Sequence, residues 1–335
     1  MAYVTVSVVG AQNDARFGKC QFPIKSYIEK RGEGFEQQSV LKKLFRMDSS
    51  NAFGASYRGV TAMDNFKPVG EGGSYPNTGM EEGFPKNFVH MTWKNQFVAT
   101  MEAVDDNKIG DIKRAASQFM TSYNRTREEF ARALYVGGLS GTSVKYEDQI
   151  FDCAAADGLA LFAKAHPNKV NKKTQTNLYA DEFSIAALGK AETAMQNLTG
   201  DNGELLSVTP DTIWIPNDAT LKNTVFAAIG ADKDPSTANN AFNYQYGRWN
   251  VIVDPYLTRM LTKLNVSAMP WFLLDSKFLD DQDGAVFIDR QKLTVKSFID
   301  NNNDNNVWSG RARFTGGFVD WRFALAGGVT GGSSL

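Results

Sequence analysis

Two cysteines, Cys20 and Cys153, and two histidines, His90 and His166, make up the chain's whole supply of thiol and imidazole. A thiol nucleophile with an imidazole base is the one covalent mechanism these residues permit, and Cys153 with His166 is the candidate pair for a thiol hydrolase. Thirteen residues of separation imply no contact in space. Cys153 also lies in the small, apolar run 151–156, which favours a buried, inert thiol. Two histidines are too few for a histidine-rich metal centre. The acid pairs Glu81/Glu82, Asp105/Asp106 and Asp280/Asp281 fall in predicted turns or at a helix start, where capping and solvation account for them.

Motifs for phosphate and metal fail residue by residue. Gly18-Lys19 would need glycine five residues earlier and Ser or Thr after it, but Asn13 and Cys20 stand there. Gly70-Glu71-Gly72-Gly73 misplaces the third glycine of a dinucleotide fingerprint, and no helix follows. The run Asp300-Asn301-Asn302-Asn303-Asp304-Asn305-Asn306 begins like a calcium loop. Asn305 occupies the required glycine position and Arg311 the required glutamate position, so an Asx-rich turn is expected. No catalytic residue, cofactor or metal is expected.

The elements that would carry any site are clearer. The chain has 335 residues, 36 Lys+Arg against 37 Asp+Glu, and 42% hydrophobic residues. This excludes a strongly basic nucleic-acid binder and a disordered chain, and it suffices for one or two cores. The cysteine usage fits a reducing compartment. No signal-like start and no apolar run of spanning length is present, so a soluble product is expected. Residues 16–46 carry eight basic side chains against three acids, mixed with Phe17, Phe22 and Tyr27, and suggest an arm lying on other surfaces, with a short helix over about 36–46.

Residues 51–105 alternate around a centre rich in glycine and proline, from Pro68 to Pro85, which predicts a two-stranded ribbon with a mobile tip. Such a ribbon is marginal alone and needs a partner surface. Period-3.6 spacing of Ile112, Ala116, Phe119, Tyr123, Phe130 and Leu134 predicts a long helix over 105–136, started by Asp105 or Asp106 and ended by Gly137-Gly138. Lys113, Arg114, Arg125, Arg127, Glu128 and Glu129 on its other face suit solvent or a neighbouring subunit. Residues 137–176 read as irregular. A helix over 178–198, a strand at 212–216, a helix over 219–229 and a strand at 249–253 suggest an α+β or α/β unit over 177–299. Short strands follow at 271–274, 285–288, 307–315 and 318–325, then a Gly/Ser-rich tail over 327–335 expected to be unstructured. The six tryptophans lie on predicted strands or their edges, which fits either core packing or subunit contact.

An arm, a ribbon and a long helix are extended pieces that a lone globule does not cover, and they suggest heterologous lattice contacts. Their order resembles the major capsid protein of tailed double-stranded DNA bacteriophages, the Hong Kong 97-type fold. Two segments strengthen the resemblance: residues 157–167, from Asp157-Gly158-Leu159 to His166-Pro167, and residues 308–322, with Arg311-Ala312-Arg313-Phe314 and Asp320-Trp321-Arg322. The resemblance implies an α+β chain divided into an N-terminal arm (1–45), an E-loop hairpin (46–104), a peripheral domain with the spine helix (105–176), an axial α/β domain (177–299), and peripheral closing strands with a flexible tail (300–335).

It further implies a non-enzymatic protein that self-assembles as hexamers and pentamers into an icosahedral head around the DNA genome. The packaged DNA would meet the inner face without sequence specificity, and portal, scaffolding and decoration proteins are the further partners. A virion protein made in the host bacterial cytoplasm follows, with no membrane partner. The N-terminal scaffolding domain of some relatives has no counterpart before the arm, so it is either lacking or already removed. Some relatives crosslink a lysine to an asparagine; Lys67, Lys86, Lys94 and Asn301 to Asn306 lie in the matching regions, without an identified acid. The expected subunit contacts are Phe17, Phe22 and Tyr27 on the arm, Trp93 and Phe97 on the E-loop return strand, and Arg114, Arg125 and Arg127 on the spine. A nanocompartment shell of the encapsulin kind is the alternative with the same fold.

Overall fold

The computed structural model describes residue 28 and residues 39–60, 65–77, 82–106, 108–230, 242–302 and 304–335. The arm residues Phe17, Phe22, Tyr27 and Cys20 lie outside the described residues. In chain order the elements are α1 (Leu41–Leu44), β1 (Arg46–Ser49), β2 (Gly54–Val60), β3 (Glu82–Val89), β4 (Met91–Ala99), α2 (Met101–Asp105) and α3 (Ile109–Gly137). Next come β5 (Ser143–Tyr146), β6 (Gln149–Asp152), β7 (His166–Pro167), β8 (Thr174–Gln175), α4 (Ile185–Gln196), β9 (Thr212–Pro216), α5 (Ala219–Ile229) and β10 (Asn250–Asp254). The chain closes with α6 (Pro255–Lys263), β11 (Trp271–Leu274), α7 (Ser276–Asp281), β12 (Ala285–Asp300), β13 (Asn305–Phe318) and β14 (Ala324–Gly327).

Two four-stranded sheets organise the body, one ordered β1-β12-β13-β4 and the other β10-β9-β11-β14. In the first, β1 runs parallel to β12, and the other neighbours are antiparallel. The long helix α3 lies on one face of this sheet. Its 29 residues span about 44 Å at roughly 1.5 Å per residue. Phe119 packs on Phe97, and Phe130 packs against Trp93, Phe151, Phe287 and Phe314. Gly310 permits this approach, because a Cβ there would stand 2.4 Å from Phe119 Cζ. On the opposite face of β13, a Cβ at Gly317 would meet Phe88 Cε1 at 2.4 Å, so the root of the β2–β3 ribbon covers that side.

The structure corrects several expectations. The long helix begins after a separate short helix: Thr100 caps α2 by accepting from Ala103 N, and α3 starts at Lys108 without a side-chain cap. Glu128 and Glu129 do not face solvent; both are buried, because α6 covers that face and Arg259 and Arg132 reach them. The helix expected from Leu178 starts at Ile185, capped by Ser184, since the backbone of 178–180 pairs instead with Ala326 and Ser333. Within the segment expected to be irregular, β5–β6 and β7–β8 form small hairpins. Of the helix expected over 36–46, the described residues form only α1, followed by β1.

Strand pairing crosses the boundary expected at residue 299. Strand β12, expected to close the axial part at 299, belongs to the first sheet along its whole length and pairs with β13. Strand β14, expected among the peripheral closing strands, pairs with β11 in the other sheet. The tail is not loose. Ala180 N donates to Ser333 O, Ser333 N to Leu178 O and Leu335 N to the Asp181 carboxylate, and Val329 is buried. These backbone bonds hold the tail to residues 178–181, which its Gly/Ser composition does not reveal.

Candidate assembly surfaces

The thiol–imidazole pair is not assembled. Cys153 Sγ donates to Gly141 O at 3.4 Å, and burial, reinforced by the Asp152 charge, pushes the thiol up to about 12, so no thiolate is available near neutrality. His166 is held elsewhere: its Nδ1 lies 2.6 Å from Asp157 Oδ2 and its ring stacks on Trp321 at 4.2 Å. No contact joins the two residues. Among the described residues no group of His, Cys, Asp and Glu could hold a metal ion, and no helix is long and apolar enough to cross a membrane.

The second histidine marks a joint. His90 falls between β3, which forms the ribbon, and β4, which joins the first sheet; it is buried and neither ring nitrogen has a partner. Burial, with Arg290 of β12 and Arg313 of β13 adding like charge, holds its pKa below the ordinary histidine value. The unfolded chain therefore takes up a proton at His90 near pH roughly 6.5, while the folded chain does so only at lower pH. The contribution to stability is complete above that value and is lost as pH falls toward the folded pKa. The thermal midpoint of the native chain should fall further from about pH 7.5 to about pH 5 than that of His90→Leu. Equal falls measured by circular dichroism would exclude this role for His90.

The residues expected at subunit contacts divide. Trp93 stacks on Phe314 at 4.9 Å and on Phe151 at 5.8 Å, and Phe97 stacks on Trp308 at 5.0 Å, so both rings pack within the chain. Arg127 Nη2 donates to Asp289 Oδ2 at 2.8 Å while its guanidinium lies over Phe287 and Phe314. That tie binds the spine helix to β12. Arg114 is exposed beside Asp111, a pairing of little energetic weight. Arg125 is exposed on the wall of a groove of about 880 Å³ between α1, α3 and β12. Of the three spine arginines expected at contacts, Arg114 and Arg125 remain available to another molecule.

The ribbon is anchored at its base and bare at its tip. Phe88 and Tyr57 pack on Val286, Ile288 and Val319, and Lys86 reaches Asp152 Oδ2 at 2.6 Å and Ala154 O at 2.9 Å. Lys169 Nζ donates to the carbonyls of Glu82 and Gly83, the latter at 3.0 Å. Beyond this root Asn65 Nδ2 donates to Glu204 Oε2 at 3.4 Å, while Phe66 is 105% and Tyr75 99% exposed. Phe226, Phe242, Tyr244 and Tyr246 are a further set of exposed aromatic side chains. Both sets escaped sequence reasoning. An aromatic flanked by Gly and Pro with no periodic partner, such as Tyr75, was the available signal.

Two buried ion networks were also missed. Arg132 of α3, fully buried, donates from Nε to Asp254 Oδ2 at 2.7 Å and adjoins Glu128. Arg322 pairs with Asp201 at 2.8 Å and Asp320 at 3.0 Å. Asp254-Pro255, a cap followed by proline at the first helical position, is the local signal that would have announced α6.

An α+β body with a docked spine helix, a ribbon rooted on its sheet and exposed aromatic rings at the ribbon's end defines a subunit built for contacts with other molecules. The profile of the family described as "Phage capsid protein" matches residues 86–327, and the chain belongs to that family. Its function is that of a major capsid protein: copies of it form the phage head. Solved structures agree on the fold. The asymmetric unit of the bacteriophage PhiM1 mature capsid is 10% identical, with a TM-score of 0.50 over 88% of this chain and 87% of that one. A Mycobacterium phage Patience structure is 10% identical, with a TM-score of 0.50 over 98% and 91%. The architecture is the Hong Kong 97-type capsid fold expected from the sequence. A search of curated protein sequences returned no match.

Proposed function

We propose that the protein acts without catalysis, in hexamers and pentamers of itself, through a ribbon that lies across a neighbouring copy. The supporting observation is the contrast along the ribbon, whose root is packed and hydrogen-bonded while the rings of Phe66 and Tyr75 at the tip are fully exposed among the described residues. Apolar rings so exposed are stabilised when a second surface covers them. In this reading the arm is 1–45 and the E-loop 46–104. The peripheral part combines 105–176 with β12 and β13, and the axial part combines the remainder of 177–299 with β14. The chain is made in the host cytoplasm and joins portal, scaffolding and decoration proteins in the head, with packaged DNA on the inner face.

Negative-stain electron microscopy of the purified full chain tests this directly. Closed particles of uniform diameter are the expected result. A chain that remains monomeric at high concentration, with residues 65–77 folded onto its own body, would overturn it.

A further inference from the structure

Where the ribbon leaves the first sheet, three donor side chains meet without an acceptor. On β13, Phe314 faces α3, so Arg313 and Thr315 point to the opposite face, where Ile288, the β12 partner of Thr315, packs with Phe88 of the ribbon root. On β4, Met91 pairs with Phe314 and Thr92 with Arg313. His90, one residue before Met91, therefore falls on the ribbon side, diagonal to Arg313, at the passage from β3 to β4. Arg290 comes from the bulge of β12, where the register slips between Asp289 and Gln291, and donates to Ala52 O in the segment leading into β2. The two strands of the ribbon thus join the body beside His90 and Arg290.

The surroundings of His90 are positive. The residue is 4% exposed, and neither ring nitrogen has a partner; Arg313 Nε is likewise buried without one. Arg290 and Arg313 form no ion pair among the described residues, and both act on the imidazole by charge. The acids at hand are engaged elsewhere. Asp289 is held by Arg127 on the spine side, and Asp48, opposite Ile288 on β1, accepts from the Tyr57 hydroxyl. Lys86 of β3 is committed to Asp152, and Lys94 and Arg311 lie one step further along the same face. Thr92, Thr294 and Thr315 are neutral. Buried polar atoms almost always have partners, so a buried imidazole flanked by two guanidinium groups lacks a negatively charged acceptor.

We propose that His90, Arg290 and Arg313 form a binding site for a small inorganic oxyanion of the sulfate or phosphate class, which fastens the ribbon root to the sheet. The site belongs to the single chain and does not depend on assembly. The half-buried guanidinium groups form its open side and the buried imidazole its floor. Guanidinium groups match oxyanions by paired N–H donation, and the imidazole adds one donor, or two when protonated. Binding therefore draws a proton onto His90. Burial and the two arginines hold the imidazole pKa below its ordinary value, and a bound anion raises it, so affinity increases as pH falls from about 8 to about 6.

The test is isothermal titration calorimetry of the purified full chain with sodium sulfate, in chloride buffer at constant ionic strength. Sulfate keeps its double charge across this pH range. Saturable binding should be at least about threefold tighter at pH 6 than at pH 8, and runs in two buffers of different ionisation heat should register proton uptake. Arg313→Gln and, separately, Arg290→Gln should each weaken binding at least about tenfold, as expected for a lost charge-assisted hydrogen bond. Lys164→Gln, at an exposed position elsewhere, should change it by less than about twofold. His90→Gln, which keeps a donor, should still bind sulfate but lose both the proton uptake and the pH dependence. Circular dichroism verifies each fold, and if Arg313→Gln does not fold, Arg290→Gln decides. No saturable heat from the native chain, equal losses in the arginine variants and Lys164→Gln, or proton uptake retained by His90→Gln would each overturn the proposal.

Discussion

Replacing Phe66 and Tyr75 together by serine is expected to abolish closed particles while leaving a folded, soluble chain. Both rings are fully open to water, so their removal takes no contact from the subunit and should change its own stability by no more than about 0.5 kcal/mol. Covered by a neighbour, each ring would contribute about 1.5–3 kcal/mol through burial. Aromatic anchors of this kind dominate interfaces when water is excluded around them. In the proposed arrangement each subunit lends its ribbon to a neighbour, so the loss recurs at every contact. Sedimentation velocity should show monomers or small oligomers, electron microscopy no closed shells, and the thermal midpoint should be unchanged. Shells of normal diameter from the double variant would show that the tip carries no lattice contact.

Asp254→Ala should cost about 3 kcal/mol of folding stability, the low end for breaking a buried ion pair, because the buried Arg132 guanidinium is left with Glu128 as its one carboxylate partner. Asp254 accepts from Arg132 Nε at 2.7 Å and from Trp214 Nε1 at 3.2 Å through one oxygen, and from Tyr256 N at 2.9 Å through the other. Loss of this last bond removes the cap of α6, worth about 1 kcal/mol more. Against a typical total of about 5–15 kcal/mol, the variant should be largely insoluble or unfold at much lower urea concentration. Arg132→Met should be milder, since Asp254 keeps its Trp214 and backbone donors and a long apolar chain fills the space. Equal urea midpoints for the two variants would refute that ordering. The pair joins the spine helix to the end of β10, so assembly should fail with folding in the first variant and survive in the second.

The network behind that second prediction was invisible in the sequence. Arg132 and Asp254 are 122 positions apart, and each taken alone has the spacing of an ordinary surface charge. Arg127 shows the same limit. Its place on the polar side of a periodic helix suggested solvent or a neighbour, yet β12 approaches that side and supplies Asp289. Trp93 and Phe97 alternate correctly on their strand, but alternation does not say whether a covering surface belongs to the same chain. For both, the cover is the chain's own β13, β6 and spine helix. Phe66 and Tyr75 were overlooked for the opposite reason, since residues without periodicity are read as loop and receive no face.

What the sequence determined by itself is local. The 3.6-residue spacing of Ile112 to Leu134 specified the spine, the alternation through Phe88 and Trp93 specified strands, and the glycine and proline between Pro68 and Pro85 specified a ribbon with an open end. The failures of the phosphate and calcium motifs were equally legible, since those motifs require particular residues at adjacent positions. The tertiary structure alone decided which sheet each strand entered, with β12 beside β13 and β14 beside β11. It also separated Cys153 from His166 and held the tail against residues 178–181. The physical reason is that period and turn chemistry act over a few residues, whereas pairing and charge neighbourhood are set between residues tens to hundreds apart, once burial has chosen which faces meet.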